Sequence, residues 1–170
     1  MGILSGSPQN EPMHYGEVYG AWSFLMAGKG KLAGYQTAIN HAGDGDLKEL
    51  MEEAIHLIKN ENQQIEELLK VNGVALPPSP PERPGANLED IPAGARMLDQ
   101  EIGAAMSADS AAGLVACSTM IGNSIREDIG MMFGQFHMNR AQLGAKLLKL
   151  NKEKGWLVPP PLHLMTPEEN

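Results

Sequence analysis

The sequence predicts an all-α protein, a bundle of four helices. Apolar residues recur at steps of three and four in four separate stretches. Two of the breaks between those stretches are short and rich in glycine, while the middle one is a proline-rich segment of 25 residues. At 170 residues the chain suits one domain, residues 1–170, with room for a full hydrophobic core.

Residues 1–11 read as a polar arm. The first helix is expected over about 12–42, with Tyr15, Val18, Trp22, Leu25, Met26, Leu32 and Ile39 on its inner side. Gly16, Gly20, Gly28, Gly30 and Gly34 interrupt it, each costing up to about 1 kcal/mol against alanine. Close packing of its backbone on a neighbour would explain them. After the Gly43–Asp46 break, Asp46 and Glu49 open a second helix over about 46–72, stopped by Gly73. Its stripe is Leu47, Leu50, Met51, Ala54, Ile58, Ile65, Leu68 and Leu69.

Residues 74–98 carry six prolines and two glycines. A helix–helix turn needs only about 2–8 residues. A proline-rich strand advances about 3 Å per residue and could run the length of helices about 40 Å long. The segment therefore reads as a crossover that leaves helices two and three parallel. The third helix, about 99–121, turns Leu98, Ile102, Met106, Ala112, Gly113, Ala116 and Met120 inward. The fourth, about 125–154, begins at an apparent capping box, Ser124-Ile-Arg-Glu127, and ends before Gly155. Ile125, Ile129, Met132, Phe133, Phe136, Leu143, Leu147 and Leu150 form its stripe, and the proline-rich tail 155–170 lies extended. Short, long and short connections between four helices describe a ferritin-like bundle.

Charged residues interrupt the stripes at similar depths. Lys29, Glu61, Asp109 and Arg140 all fall inward near mid-bundle, so a core layer of two acids and two bases is expected. Ferritin-like carboxylate proteins hold two metals at this level, with Glu and Glu-x-x-His ligands. Here Lys29 and Arg140 stand among the acids, and two fixed cations repel a divalent ion. The leading expectation is a salt-bridged, metal-free core without a cofactor. The alternative is an iron, manganese or zinc site, with a possible oxidoreductase or metal-handling role. It would use Glu61, Asp109 and His137, with Glu53 and His56 as further ligands. His56 counts to the solvent side of helix two, and Glu17 of the His14-x-x-Glu17 pair counts off its stripe.

Other classes find little support. The net charge of −8 and the lack of Lys/Arg runs argue against nucleic acid and anionic membranes as partners. No apolar run is expected to reach the ~20 residues of a membrane span. The opening residues MGILSGSPQNEP lack a signal-peptide pattern, and Met1-Gly2 is followed by Gly6 where myristoylation wants Ser or Thr. A cytoplasmic protein is expected. Cys117, the single cysteine, reads as a small core residue. No nucleophilic triad or phosphate loop can be assembled, so a non-enzyme is favoured. A second apolar face on helix four, with Met131, Met138, Ala145 and Leu148, suggests a homodimer contact or a seat for the tail. A small-ligand pocket between helices one and three, beside Gly28, Gly30 and Gly113, is a third possibility.

The stretches PMHYGEVYGAWSFLMAGKG, VALPPSPPERP, SIREDIGMMFGQFHM and KEKGWLVPPPLHL give the chain a resemblance to a ferritin-like family of unknown function from Bacillus-type spore formers. Members of that family carry at most the label "putative spore coat protein". The resemblance implies a single four-helix unit and a structural role in sporulation, in the cytoplasm or the spore coat, with other coat-type proteins as partners. It carries no catalytic residues over, because the family's ferritin-like relatives place metal ligands where this chain has Lys29 and Arg140.

Overall fold

The computed structural model describes residues 11–163. The polar arm over 1–10, the Met1-Gly2 motif and the end of the tail, 164–170, lie outside the described residues. Four long helices account for most of the rest: α1 (Tyr15–Ala38), α2 (Gly45–Val71), α3 (Asp99–Asn123) and α4 (Glu127–Glu153). No strand occurs among the described residues.

Helix α2 has the cleanest two-faced pattern, and every apolar residue of its stripe from Leu47 to Leu69 is buried. Its N-cap is Asp44, whose side chain accepts from Leu47 N at 3.0 Å, rather than the Asp46 and Glu49 expected from sequence. Beyond its end, Gly73 takes φ +73°, a conformation glycine adopts without strain. Helix α4 likewise buries Ile129, Phe133, Phe136, Leu143, Leu147 and Leu150. Helices α1 and α3 are richer in glycine and alanine, and their expected stripes are corrected in part. Tyr15, Met26, Leu98 and Ala112 are exposed. Leu25 and Cys117 are buried as expected, and Ala21, Gly28 and Gly103 join them. Small residues do not fix which side of a helix faces in, so the neighbours decide.

The ends of the helices set their directions. Gly43 N and Asp44 N donate to Asp99, placing the start of α3 beside the start of α2. Lys154, at the end of α4, pairs with Asp44 and Asp46 at the same end of the bundle. At the other end, Arg126 before α4 reaches Asn72 after α2 and the Glu11 carbonyl before α1. So α2 and α3 run one way while α1 and α4 run the other. The connection 72–98 returns along α1. Trp22 Nε1 donates to Ala75 O, Lys29 to Pro77 O, and Asn40 Nδ2 to Pro84 O, while Gln36 accepts from Arg83 N. Two single 3-10 turns, Leu88–Asp90 and Ala93–Ala95, complete it.

Packing joins α1 to α2, α3 to α4, α2 to α4 and α1 to α3. The apolar core has two clusters. One centres on Leu25, Ile65, Leu69, Phe133 and Phe136, the other on Leu47, Met51, Ile102, Met106 and Leu147. Among the described residues one stretch, Ala93–Asn123, is long and apolar enough to cross a membrane by length and composition alone. This corrects the expectation that no run reaches that length.

Candidate functional site

Between the two apolar clusters the interior turns polar. Arg140 on α4 and Glu61 on α2 are 5% and 2% exposed. Arg140 Nε lies 3.1 Å from both carboxylate oxygens, and Nη2 donates to Oε2 as well. The guanidinium carbon sits 5.2 Å from the centroid of the Phe24 ring, a cation–π contact. Phe24 in turn packs edge-on against Phe133, with centroids 5.1 Å apart. Glycine makes room for these groups. A Cβ on Gly113 would collide with Arg140 Nη1, and one on Gly28 with Asn62 Oδ1. Asn62 Oδ1 is buried without a hydrogen-bond partner among the described residues. Burial pushes the Glu61 carboxyl above its ordinary range, against the pull of the Arg140 hydrogen bonds. Burial also raises the nearby Cys117 thiol to about 11, so it is no thiolate nucleophile at neutral pH.

The other two members of the expected layer have different partners. Lys29 leans toward α2 and the connection, 2.9 Å from Glu66 and donating to Pro77 O at 2.8 Å. Asp109 pairs with Lys31 and accepts from Tyr35 Oη at 3.2 Å. Burial, followed by the charge of Asp109, raises the Tyr35 phenol. Of the expected pairing of Lys29 and Arg140 with Glu61 and Asp109, the Arg140–Glu61 contact is found and a contact of Lys29 with either acid is not: three separate ion pairs lie across the middle of the bundle. Lys31 and Glu66 were missed because they sit at the edges of the stripes, where a turn of 100° per residue decides whether a long side chain reaches inward.

The alternative metal ligands are not brought together. Glu53 is exposed and bonded to Lys146, His56 is exposed, and His137 is half-buried on α4. Glu61 and Asp109 are each engaged by a cation. Among the described residues no three His, Cys, Asp or Glu side chains form a group able to hold a metal ion. The proposed contact face on α4 is open: Met131 is 75% exposed, and Met138, Ala145 and Leu148 are exposed as well.

A second polar centre occupies one end of the bundle, where the sequence suggests only a Ser124–Glu127 capping box and an off-stripe Glu17. Glu17, expected off the stripe, is 1% exposed. Its Oε2 accepts from His14 N at 3.1 Å, within a capping box at the start of α1. Its Oε1 accepts from Ile125 N at 2.9 Å and Arg126 N at 3.0 Å, just before α4. A carboxylate from α1 thus serves the N-terminal backbone of α4, where negative charge is also favoured by the helix dipole. The expected Ser124–Glu127 capping box does not form. Ser124 instead follows α3 and its hydroxyl donates to Met120 O at 2.7 Å. Arg126 is buried and held by Asp128, Asn72 and the Glu11 carbonyl. Its hydrogen bonds keep the Asp128 carboxyl below its ordinary range.

A family model described as "Protein of unknown function (DUF3231)" matches residues 1–168. The chain is 60% identical over 169 residues to the "Uncharacterized protein YvdQ" of Bacillus subtilis (strain 168), covering 99% of each. It is also similar to a crystal structure from Bacillus halodurans C-125 named "putative spore coat protein". The identity there is 58% and the TM-score 0.92, over 94% of this chain and 100% of that one.

Proposed function

This chain belongs to the DUF3231 family, and on that premise we propose a non-enzymatic structural or interaction role of the spore-coat type. The fold is read as a ferritin-like bundle whose proline-rich crossover leaves α2 and α3 parallel, with ion pairs in place of a di-metal site. The observation that carries this reading is the buried Arg140–Glu61 pair. It commits a mid-bundle carboxylate that a di-metal centre would need, and places a fixed cation beside it. The name of the Bacillus halodurans relative supports the link to the coat. The exposed methionines of α4 supply an apolar face for self-association or for another coat-type protein. Such a protein would be made in the cytoplasm and act by its outer surface.

A fluorescent fusion of the chain expressed in sporulating Bacillus subtilis tests the role. A ring around the developing spore that survives into the extracted coat fraction is expected. Even fluorescence through the cell, with none in the coat fraction, would overturn it.

A further inference from the structure

The seam where α1 meets α3 is not closed. A cavity of about 300 Å³ opens along it, walled by Phe24, Gly28, Gly113 and Met120. Most of this wall is apolar, and its charged members among the described residues are Lys31 and Arg140. Neither Asp109 nor Glu61, the acids paired with those cations, lines the cavity. Arg140 spends Nε and Nη2 on Glu61. Its Nη1 lies against Gly113 and takes no part in the bonds to Glu61. Lys31 is about a quarter exposed and keeps donors beyond the one turned to Asp109. Gly30, singled out from sequence, is exposed and does not line this space.

We propose that this cavity binds a small monocarboxylate with an apolar body, its carboxylate between Lys31 and Arg140 Nη1 and its chain along the α1–α3 seam. An apolar pocket with a few convergent polar groups is the usual form of a small-molecule site. Positive groups without an acid on the wall select an anion over an uncharged molecule of the same shape. Glycine at 113 lets the Arg140 guanidinium lie against α3 at the cavity wall. The proposal is independent of the spore-coat reading.

Calorimetric titration of the full chain with sodium octanoate, and separately with octan-1-ol, tests it. The expected result is one octanoate site per chain with a submillimolar Kd, and binding of the alcohol about tenfold weaker or less. Lys31→Met should lower octanoate affinity about tenfold and leave that of the alcohol unchanged. Ala116→Leu, which fills the cavity from its α3 wall, should abolish binding of both without lowering the melting temperature. Absence of octanoate binding at millimolar concentration would overturn the proposal, as would equal affinity for the alcohol or an unaltered Lys31→Met variant.

Discussion

Arg140 grips the Glu61 carboxylate from across the bundle, with Nε 3.1 Å from each oxygen and both side chains nearly sealed from solvent. Desolvating two charges costs several kcal/mol per ion, and pairing largely offsets that cost only while both partners are present. Burial pushes the Glu61 carboxyl up while the Arg140 hydrogen bonds pull it down, and Glu61 in turn holds the guanidinium charged against its own burial. Removing one partner and removing both therefore have different consequences.

Arg140→Ala strands Glu61 and should destabilise the fold by about 3–5 kcal/mol in urea melts. Replacing the pair together, as Arg140→Met with Glu61→Leu, should recover most of that loss, because an apolar layer of similar volume carries no desolvation cost. A loss below about 1 kcal/mol for Arg140→Ala would contradict a buried, mutually dependent pair.

Glu17 joins the starts of two helices through one side chain. Glu17→Ala leaves donors at His14, Ile125 and Arg126 without their acceptor and should cost about 3 kcal/mol. Hydrogen exchange at the first turn of α4 should quicken with it. Unchanged exchange there would show that solvent or another acceptor serves those amides equally well.

The Arg126–Asp128 pair gives the acid limb of stability a defined sign. Hydrogen bonds from Arg126 hold the Asp128 carboxyl low in the folded state, so folding releases protons as pH falls into the carboxylate range. That stabilisation is complete above the unfolded Asp value of about 3.9 and is lost as pH falls through the folded value. Asp128→Asn should therefore be less stable than wild type at pH 7, with the gap closing below about pH 4. A gap that persists unchanged into acid would show that the charge is not what stabilises the native chain.

The α4 outer face bears on assembly. Wild type is expected to sediment as a dimer, and Met138→Glu as a monomer with an unchanged melting temperature. A wild-type monomer at tens of micromolar would remove this face as a self-association surface.

Helices α2 and α4 were legible because bulky aliphatic residues repeat on one side against charged residues on the other. In α1 and α3, glycine and alanine weaken that contrast, and Tyr15, Leu98 and Ala112 face out although the spacing predicts them inward. The charges of Arg140 and Glu61 stood out because both lie on strongly apolar stripes. Their pairing could be inferred from depth, whereas the partners of Lys29 and Asp109 could not. Lys31 and Glu66 look like ordinary surface charges until the neighbouring helix is in place. Glu17 was illegible for another reason: the backbone amides it serves belong mostly to a segment 108 and 109 residues away. Local capping rules pointed to Ser124, whose hydroxyl is already bonded to the preceding helix.

The most direct test of an ion-paired rather than metal-bearing interior is elemental analysis of untagged protein, freshly purified and again after iron loading and desalting. With Glu61 committed to Arg140, iron, manganese and zinc should each remain well below stoichiometric with the chain. Retention of about one or two ions per chain, lost in a Glu61→Ala variant, would contradict it and establish a metal centre of the ferritin-like kind.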